Sequence, residues 1–102
     1  MGALGFQAQN AAITGVVVQD LDITDGSFSG IELMGPQGIS GLMLTNVAIS
    51  NPGANGIRIQ SNVSSGNATA TGVVVSNPNG AGLNNGSGGA FTINRGAGNS
   101  GW

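Results

Sequence analysis

The chain contains no cysteine, histidine, tyrosine or lysine, and its aromatic content is three Phe and one Trp. Without Cys there is no disulfide framework and no demand on redox compartment. Without Cys and His, the usual zinc and transition-metal ligands are missing, and neither a metal site nor a cofactor is expected, with calcium held by Asp side chains as the open alternative. Only six residues carry charge: Asp20, Asp22, Asp25, Glu32, Arg58 and Arg95, for a net charge of −2. That balance lacks the basic footprint required by nucleic acid or an anionic membrane. No apolar run approaches membrane-spanning length, and the first residues lack the basic and apolar regions of a signal peptide. The glycine-rich nonapeptide that binds calcium in some repeat proteins is also missing.

What the chain does have is a period. Gly30, Gly56 and Gly82 fall 26 residues apart, as do Ile31, Ile57 and Leu83, and Ile23, Ile49 and Val75. Rows of 26 give six apolar columns: 16/42/68, 18/44/70, 21/47/73, 23/49/75, 31/57/83 and 33/59/85. Seventeen of their eighteen positions are Val, Leu, Ile or Ala, the exception being Asn85, whereas a chain that is 39% hydrophobic would place about seven there. The columns pair at a spacing of two, which sends alternate strand residues to one face. Between the pairs stand residues that tolerate a left-handed backbone: Asp20, Asn46 and Gly72; Asp25, Asn51 and Asn77; Gly15, Gly41 and Asn67. Exchange of Gly, Asn and Asp within one column marks a corner with positive φ.

Three short strands per repeat with corners between them predict an all-β chain: a right-handed parallel β-helix of about four coils, each strand pairing with its equivalent one coil later. A helical reading fails, because 20 Gly and 12 Asn oppose helices and no segment carries a helical apolar period. Residues 1–102 read as one β-helix domain, a segment of a longer solenoid. Gly5, Phe6 and Ala8 match Gly30, Ile31 and Leu33 at an offset of 25, so the chain is expected to begin inside a coil. Phe91 and Ile93 resemble a last first-strand pair shifted by about three residues. From Asn84 to Trp102 the composition of Gly, Asn and Ser predicts an irregular end.

Residues one position off the inward columns are expected to face solvent. Gln7, Glu32, Arg58 and Asn84 form such a column on the third strand, with Glu32 and Arg58 as an exposed ion pair across adjacent coils. Together with Gln60, the residues Glu32, Arg58 and Asn84 are the candidates for contacting an extended polysaccharide. Asp20, Asp22 and Asp25 are candidate catalytic acids, since glycoside hydrolysis requires two carboxyl groups at a defined separation. Against this, Asp20 and Asp25 recur as Asn46 and Asn51, which points to corner geometry. Val17 and Met43 lie outward and make an apolar exterior. The unpaired backbone at both terminal coils favours self-association end to end.

The stretch Ile39-Ser-Gly-Leu-Met-Leu-Thr-Asn-Val-Ala-Ile-Ser-Asn-Pro-Gly-Ala-Asn-Gly-Ile-Arg-Ile-Gln60 resembles the right-handed parallel β-helix repeats of the pectin-lyase-like superfamily. The resemblance covers residues 5–94. It implies a secreted, carbohydrate-associated protein, because that superfamily holds polygalacturonases, pectate lyases, α-1,3-glucanases of the mycodextranase type and phage tailspikes, alongside structural members. Asn55-Gly56-Ile57-Arg58-Ile59-Gln60 looks like the substrate-binding Gly-x-Arg-Ile-Lys stretch of polygalacturonases, with Gln60 in place of Lys. The adjacent Asp pair and the Gly-His-Gly of that family are missing, so its catalytic roles do not transfer. The closing Phe91-Thr-Ile-Asn-Arg-Gly-Ala-Gly-Asn-Ser-Gly-Trp102 is similar to the last coil of secreted bacterial β-helix glucanases. The sequence therefore predicts an extracellular structural solenoid, with a polysaccharide hydrolase or lyase, or a glycan-binding module, as the alternatives.

Overall fold

In the computed structural model, which describes residues 2–102, every strand pairing is parallel and every pairing is between coils. One sheet stacks β1 (Leu4–Gln7), β4 (Ile31–Met34), β6 (Ile57–Ile59) and β8 (Leu83–Asn85) in that order. The other stacks β2 (Ile13–Thr14), β5 (Ile39–Ser50), β7 (Gly66–Ser76) and β9 (Phe91–Arg95), with β3 (Val17–Thr24) also on β5. The chain is a right-handed parallel β-helix of about four turns, about 26 residues apart.

Of the three strands expected in each coil, the first two run together. In β5 and β7 hydrogen bonding continues through the corner, because a single residue with positive φ bends the strand without leaving the ladder. Asn46 has φ 54° and Gly72 φ 65°, and Asp20 bends β3 in the same way at φ 57°. The second corner is turned by Asp25, Asn51 and Asn77, at φ 56°, 52° and 54°. At the corner before the first strand Gly15 and Gly41 have positive φ as expected, but in the third coil the positive φ is at Gly66, not Asn67. The pairing of β5 with β7 shifts register there, between Ile39 and Leu42, so the turn is displaced by one residue. Asn67 instead accepts a hydrogen bond on Oδ1 from the Gly41 N–H, at 2.6 Å.

The apolar columns form the core. Ile31, Leu33, Leu42, Leu44, Val47, Ile49, Ile57, Ile59, Ala68, Ala70 and Val73 are at most 2% exposed. Ala8, Ile39, Val63 and Phe91 join them where the loops between the two sheets close the coil. The column of Gly30, Gly56 and Gly82 brings one coil close to the next. A Cβ on Gly56 would stand 2.5 Å from Val75 Cγ1 and 2.6 Å from the Gly82 carbonyl oxygen. The Gly56 N–H is itself a ladder donor, to the Ala81 carbonyl at 3.0 Å.

The period changes at both ends. Leu4 pairs with Ile31 and Gly5 with Glu32, an interval of 27 residues, not the 25 expected. Gln7 accordingly lies opposite Met34 and leaves the column of Glu32 and Arg58. At the other end Ala68 pairs with Ile93 and Ala70 with Arg95, an interval of 25, one residue short of the period and not three. The stretch expected to be irregular holds β9, and beyond it Ser100 bridges to Val74. Arg95 thus occupies an inward column position at the end of the stack. Its guanidinium lies 4.1 Å from the centroid of the Trp102 ring, and Trp102 Nε1 donates to the Val73 carbonyl at 2.9 Å. Asn85, the polar exception among the columns, ties the last turn by donating to the Phe91 carbonyl at 2.9 Å and accepting from Ser87 Oγ at 2.6 Å.

Replacing Gly56 with Ala is expected to lower unfolding free energy by about 1–3 kcal/mol, since the methyl group meets backbone that can yield only by opening the ladder. Urea denaturation followed by circular dichroism measures it.

Candidate functional site

The outer face of the sheet formed by β1, β4, β6 and β8 carries Glu32 and Arg58, opposite charges on neighbouring strands. Its outward positions are Gly5 and Gln7, then Glu32 and Met34, then Arg58 and Gln60, then Asn84. Glu32 lies opposite Gly5 on one side and Arg58 on the other, and Arg58 lies opposite Asn84. Gln60 stays on the ladder through its N–H, which donates to the Leu33 carbonyl at 2.9 Å.

Glu32 does not form the exposed ion pair expected of it. It is 2% exposed, although its position on the strand is an outward one. Gln60, one coil on and two residues along, lies across it and donates from Nε2 to Glu32 Oε2 at 2.5 Å. Arg58 Nη1 stands 3.6 Å from the same oxygen, an ion pair longer than a good hydrogen bond, and the Arg58 side chain remains 48% exposed. Gly2 completes the enclosure: a Cβ there would be 3.0 Å from Glu32 Cβ. Burying a carboxylate is costly unless it has partners of this kind. The result is a fixed anion beneath a half-free guanidinium, with Gln60 and Asn84 beside it as neutral donors and acceptors. The spacing of equivalent outward groups is that of the ladder, about 4.8 Å per coil.

The three aspartates are arranged differently. Asp20 and Asp25 are corner residues, and each accepts from the asparagine one coil above: Asn46 Nδ2 to Asp20 Oδ1 at 2.7 Å, and Asn51 Nδ2 to Asp25 Oδ1 at 3.0 Å. Asp22 is exposed on the strand between those corners, opposite Ala48. Asp20 and Asp22 belong to β3 and Asp25 follows it directly, whereas Glu32 is on the other sheet. The structure therefore brings together Glu32, Arg58 and Gln60, with Asn84 next in line, and does not bring Asp20, Asp22 or Asp25 to them.

Three large apolar side chains stand out in water: Phe28 at 60% exposure, Val17 at 57% and Met43 at 47%. Val17 and Met43 are ladder partners and make one stripe on the outer face of the second sheet. Phe28 projects from the second corner. The described residues enclose no pocket and include no group of three acidic side chains that could hold a metal ion.

The arrangement of coils has a known counterpart. The chain is similar to the catalytic unit of a thermostable GH87 α-1,3-glucanase from Streptomyces thermodiastaticus strain HF3-3, with 28% sequence identity and a TM-score of 0.87. The fold is that of the pectin-lyase-like parallel β-helices. The similarity covers all of this chain and 20% of that one, so the pectin-lyase-like coils seen here span about a fifth of the glucanase unit. No protein-family model matches the chain, and no curated protein does.

Sequence reading missed the burial of Glu32 because its partner, Gln60, is offset from it by 28 residues, not 26. Arg95 against Trp102 was also missed; an arginine at an inward column position was the available signal. Gln60→Ala is expected to destabilise the fold by about 1–3 kcal/mol, as a buried carboxylate loses a hydrogen bond. Arg58→Ala, which removes a largely solvated charge, is expected to change it by less than about 1 kcal/mol. Paired denaturation curves test the order.

Proposed function

We propose that this chain is a β-helix segment of an extracellular carbohydrate-associated protein, and that the polar face of Glu32, Arg58, Gln60 and Asn84 lies along an extended polysaccharide. The similarity to an α-1,3-glucanase catalytic unit, which runs through every coil of this chain, carries the reading. Two features of the face support it. It is open and flat, as a polymer needs, with no pocket that would select a small molecule. Arg58 with Gln60 and then Asn84 follow one another at the coil spacing, so a chain of sugars aligned with the solenoid axis meets polar groups on two successive coils. Arg58 supplies a charge-assisted donor to sugar hydroxyls, and the buried Glu32 holds it in place. The neighbour is an enzyme of secreted type, which supports placing this protein outside the cell.

The segment serves binding and architecture, not cleavage. Hydrolysis needs two carboxyl groups facing one glycosidic bond across a gap. Asp20 and Asp25 are held in corner ladders, Asp22 stands apart on its strand, and Glu32 is enclosed on the other sheet.

A second property, end-to-end association through the terminal coils, is favoured by the exposure of the N-terminal coil. Leu4, Ile13, Val16, Val18 and Leu21 are only partly buried, while Ile31, Ile39, Leu42, Leu44 and Val47, one coil on, are at most 2% exposed. Edge strands with an open apolar stack invite further strands.

On insoluble α-1,3-glucan the chain is expected to be retained, and Arg58→Ala to weaken retention about tenfold, the equivalent of one charge-assisted hydrogen bond. Its mass by light scattering should stay that of the parent. Undiminished retention of the variant would remove Arg58 from the site. Reducing-sugar release that disappears on changing Asp20, Asp22 or Asp25 singly to Asn would show that these acids catalyse.

A further inference from the structure

Four peptide links in this chain join an acidic or amide side chain to glycine: Asp25–Gly26, Asn55–Gly56, Asn79–Gly80 and Asn85–Gly86. Such links share a slow reaction. The glycine nitrogen, unhindered by a side chain of its own, attacks the side-chain carbonyl carbon of the residue before it and closes a succinimide ring. In an unfolded chain the asparagine links react first, because an amide is a better electrophile than an ionised carboxylate. A hydrogen bond from the glycine N–H holds the attack back.

The ladder ties all three asparagine links. The Gly56 N–H donates to the Ala81 carbonyl at 3.0 Å, the Gly80 N–H to that of Ala54 at 2.7 Å, and the Gly86 N–H to that of Ile59 at 2.8 Å. The side chains are engaged as well. Asn55 Oδ1 accepts from the Ala81 N–H at 3.0 Å, Asn79 Nδ2 donates to the Gly53 carbonyl at 3.2 Å, and Asn85 Nδ2 donates to the Phe91 carbonyl at 2.9 Å. Each of these links reacts only after a rung of the ladder has opened.

Asp25–Gly26 stands apart. Among the described residues the Gly26 N–H has no hydrogen-bond partner. The next two coils show why: the equivalent positions hold Pro52 and Pro78, which carry no N–H, so the ladder has no rung at this point of the corner. The space around Gly26 is open, since a Cβ there would meet nothing closer than the Phe28 carbonyl oxygen at 3.9 Å. Asp25 is exposed, and its carboxylate accepts from Asn51 Nδ2 in a bond between two exposed side chains.

We propose that Asp25–Gly26 is a site of spontaneous backbone isomerisation, and that in the folded chain it reacts ahead of the three Asn–Gly links. The Asp25 carboxyl, protonated from solvent, is attacked at Cγ by the Gly26 nitrogen. A C–N bond forms, the nitrogen gives up its proton, and the carboxyl OH leaves as water. Water then adds to one of the two succinimide carbonyls. Opening on one side restores Asp25, and opening on the other leaves isoaspartate, with the main chain running through Cβ. The extra backbone carbon falls at a corner turned by one residue at φ 56°, so the modified coil loses register with the next.

The experiment follows isoaspartate by enzymatic methylation and peptide mapping during long incubation at physiological temperature and mildly acidic pH, for the folded parent, the parent in urea, and Gly26→Pro. In the folded parent, isoaspartate at 25 is expected to accumulate at least about tenfold faster than at 55, 79 or 85, the protection given by a ladder that must open locally. In urea the order is expected to reverse. Gly26→Pro, which repeats the Asn–Pro corners of the next two coils without the attacking N–H, is expected to show none at 25. An Asn–Gly link leading in the folded parent would overturn the proposal. So would the same order of reaction in urea as in the folded chain, or isoaspartate persisting at 25 in Gly26→Pro. Circular dichroism checks that the variant folds, and the comparison of folded parent with urea decides without it.

Discussion

Parallel pairing between successive coils is the constraint on which everything else in this molecule depends. A strand can meet its equivalent in the next coil only if the backbone returns to the same place and the same direction, and this chain returns after 26 residues. That fixes the corners. A residue that changes the direction of the strand without interrupting hydrogen bonding needs positive φ, and Asp, Asn and Gly are the residues that tolerate it. The same return stacks like on like. Aliphatic side chains at the inward positions make a continuous core, and asparagines at the corners make ladders. A bulky residue is excluded where one coil closes onto the next, which is the place of Gly30, Gly56 and Gly82.

Repetition also decides what kind of site the molecule can offer. A solenoid with short corners has no loops long enough to fold into a cavity, so its chemistry is displayed on faces. The face of Glu32, Arg58, Gln60 and Asn84 combines one enclosed charge, one half-exposed charge and two amides in three successive coils. The acids Asp20 and Asp25 lie in corner ladders and Asp22 on β3, away from this face.

The periodic parts of the structure were legible in the sequence, and the aperiodic parts were not. Columns such as 18/44/70 and 23/49/75 predicted the core because a β-helix writes its contacts at one fixed interval. The exchange of Asp20, Asn46 and Gly72 predicted a positive-φ corner because only such a corner accepts all three. Glu32 escaped the same logic. Strand alternation puts it outward, yet a side chain from another row folds over it, and no column relates Glu32 to Gln60. The ends escaped it as well: intervals of 27 at Leu4 and 25 at Ile93 are local adjustments that the repeat does not encode. Among the candidate residues, Glu32, Arg58, Gln60 and Asn84 share a face, while Asp20 and Asp25 accept hydrogen bonds in the corner ladders.

The constant interval between paired residues has a bearing on how the chain folds. Nearly every contact between coils closes a loop of about 26 residues, so loop-closure entropy is the same for each new coil and does not grow with the length of the solenoid. The first pair of coils must meet without a template and sets the barrier. Each later coil adds to an edge already in place. A longer solenoid of this design gains stability with every turn while its folding nucleus stays the size of two.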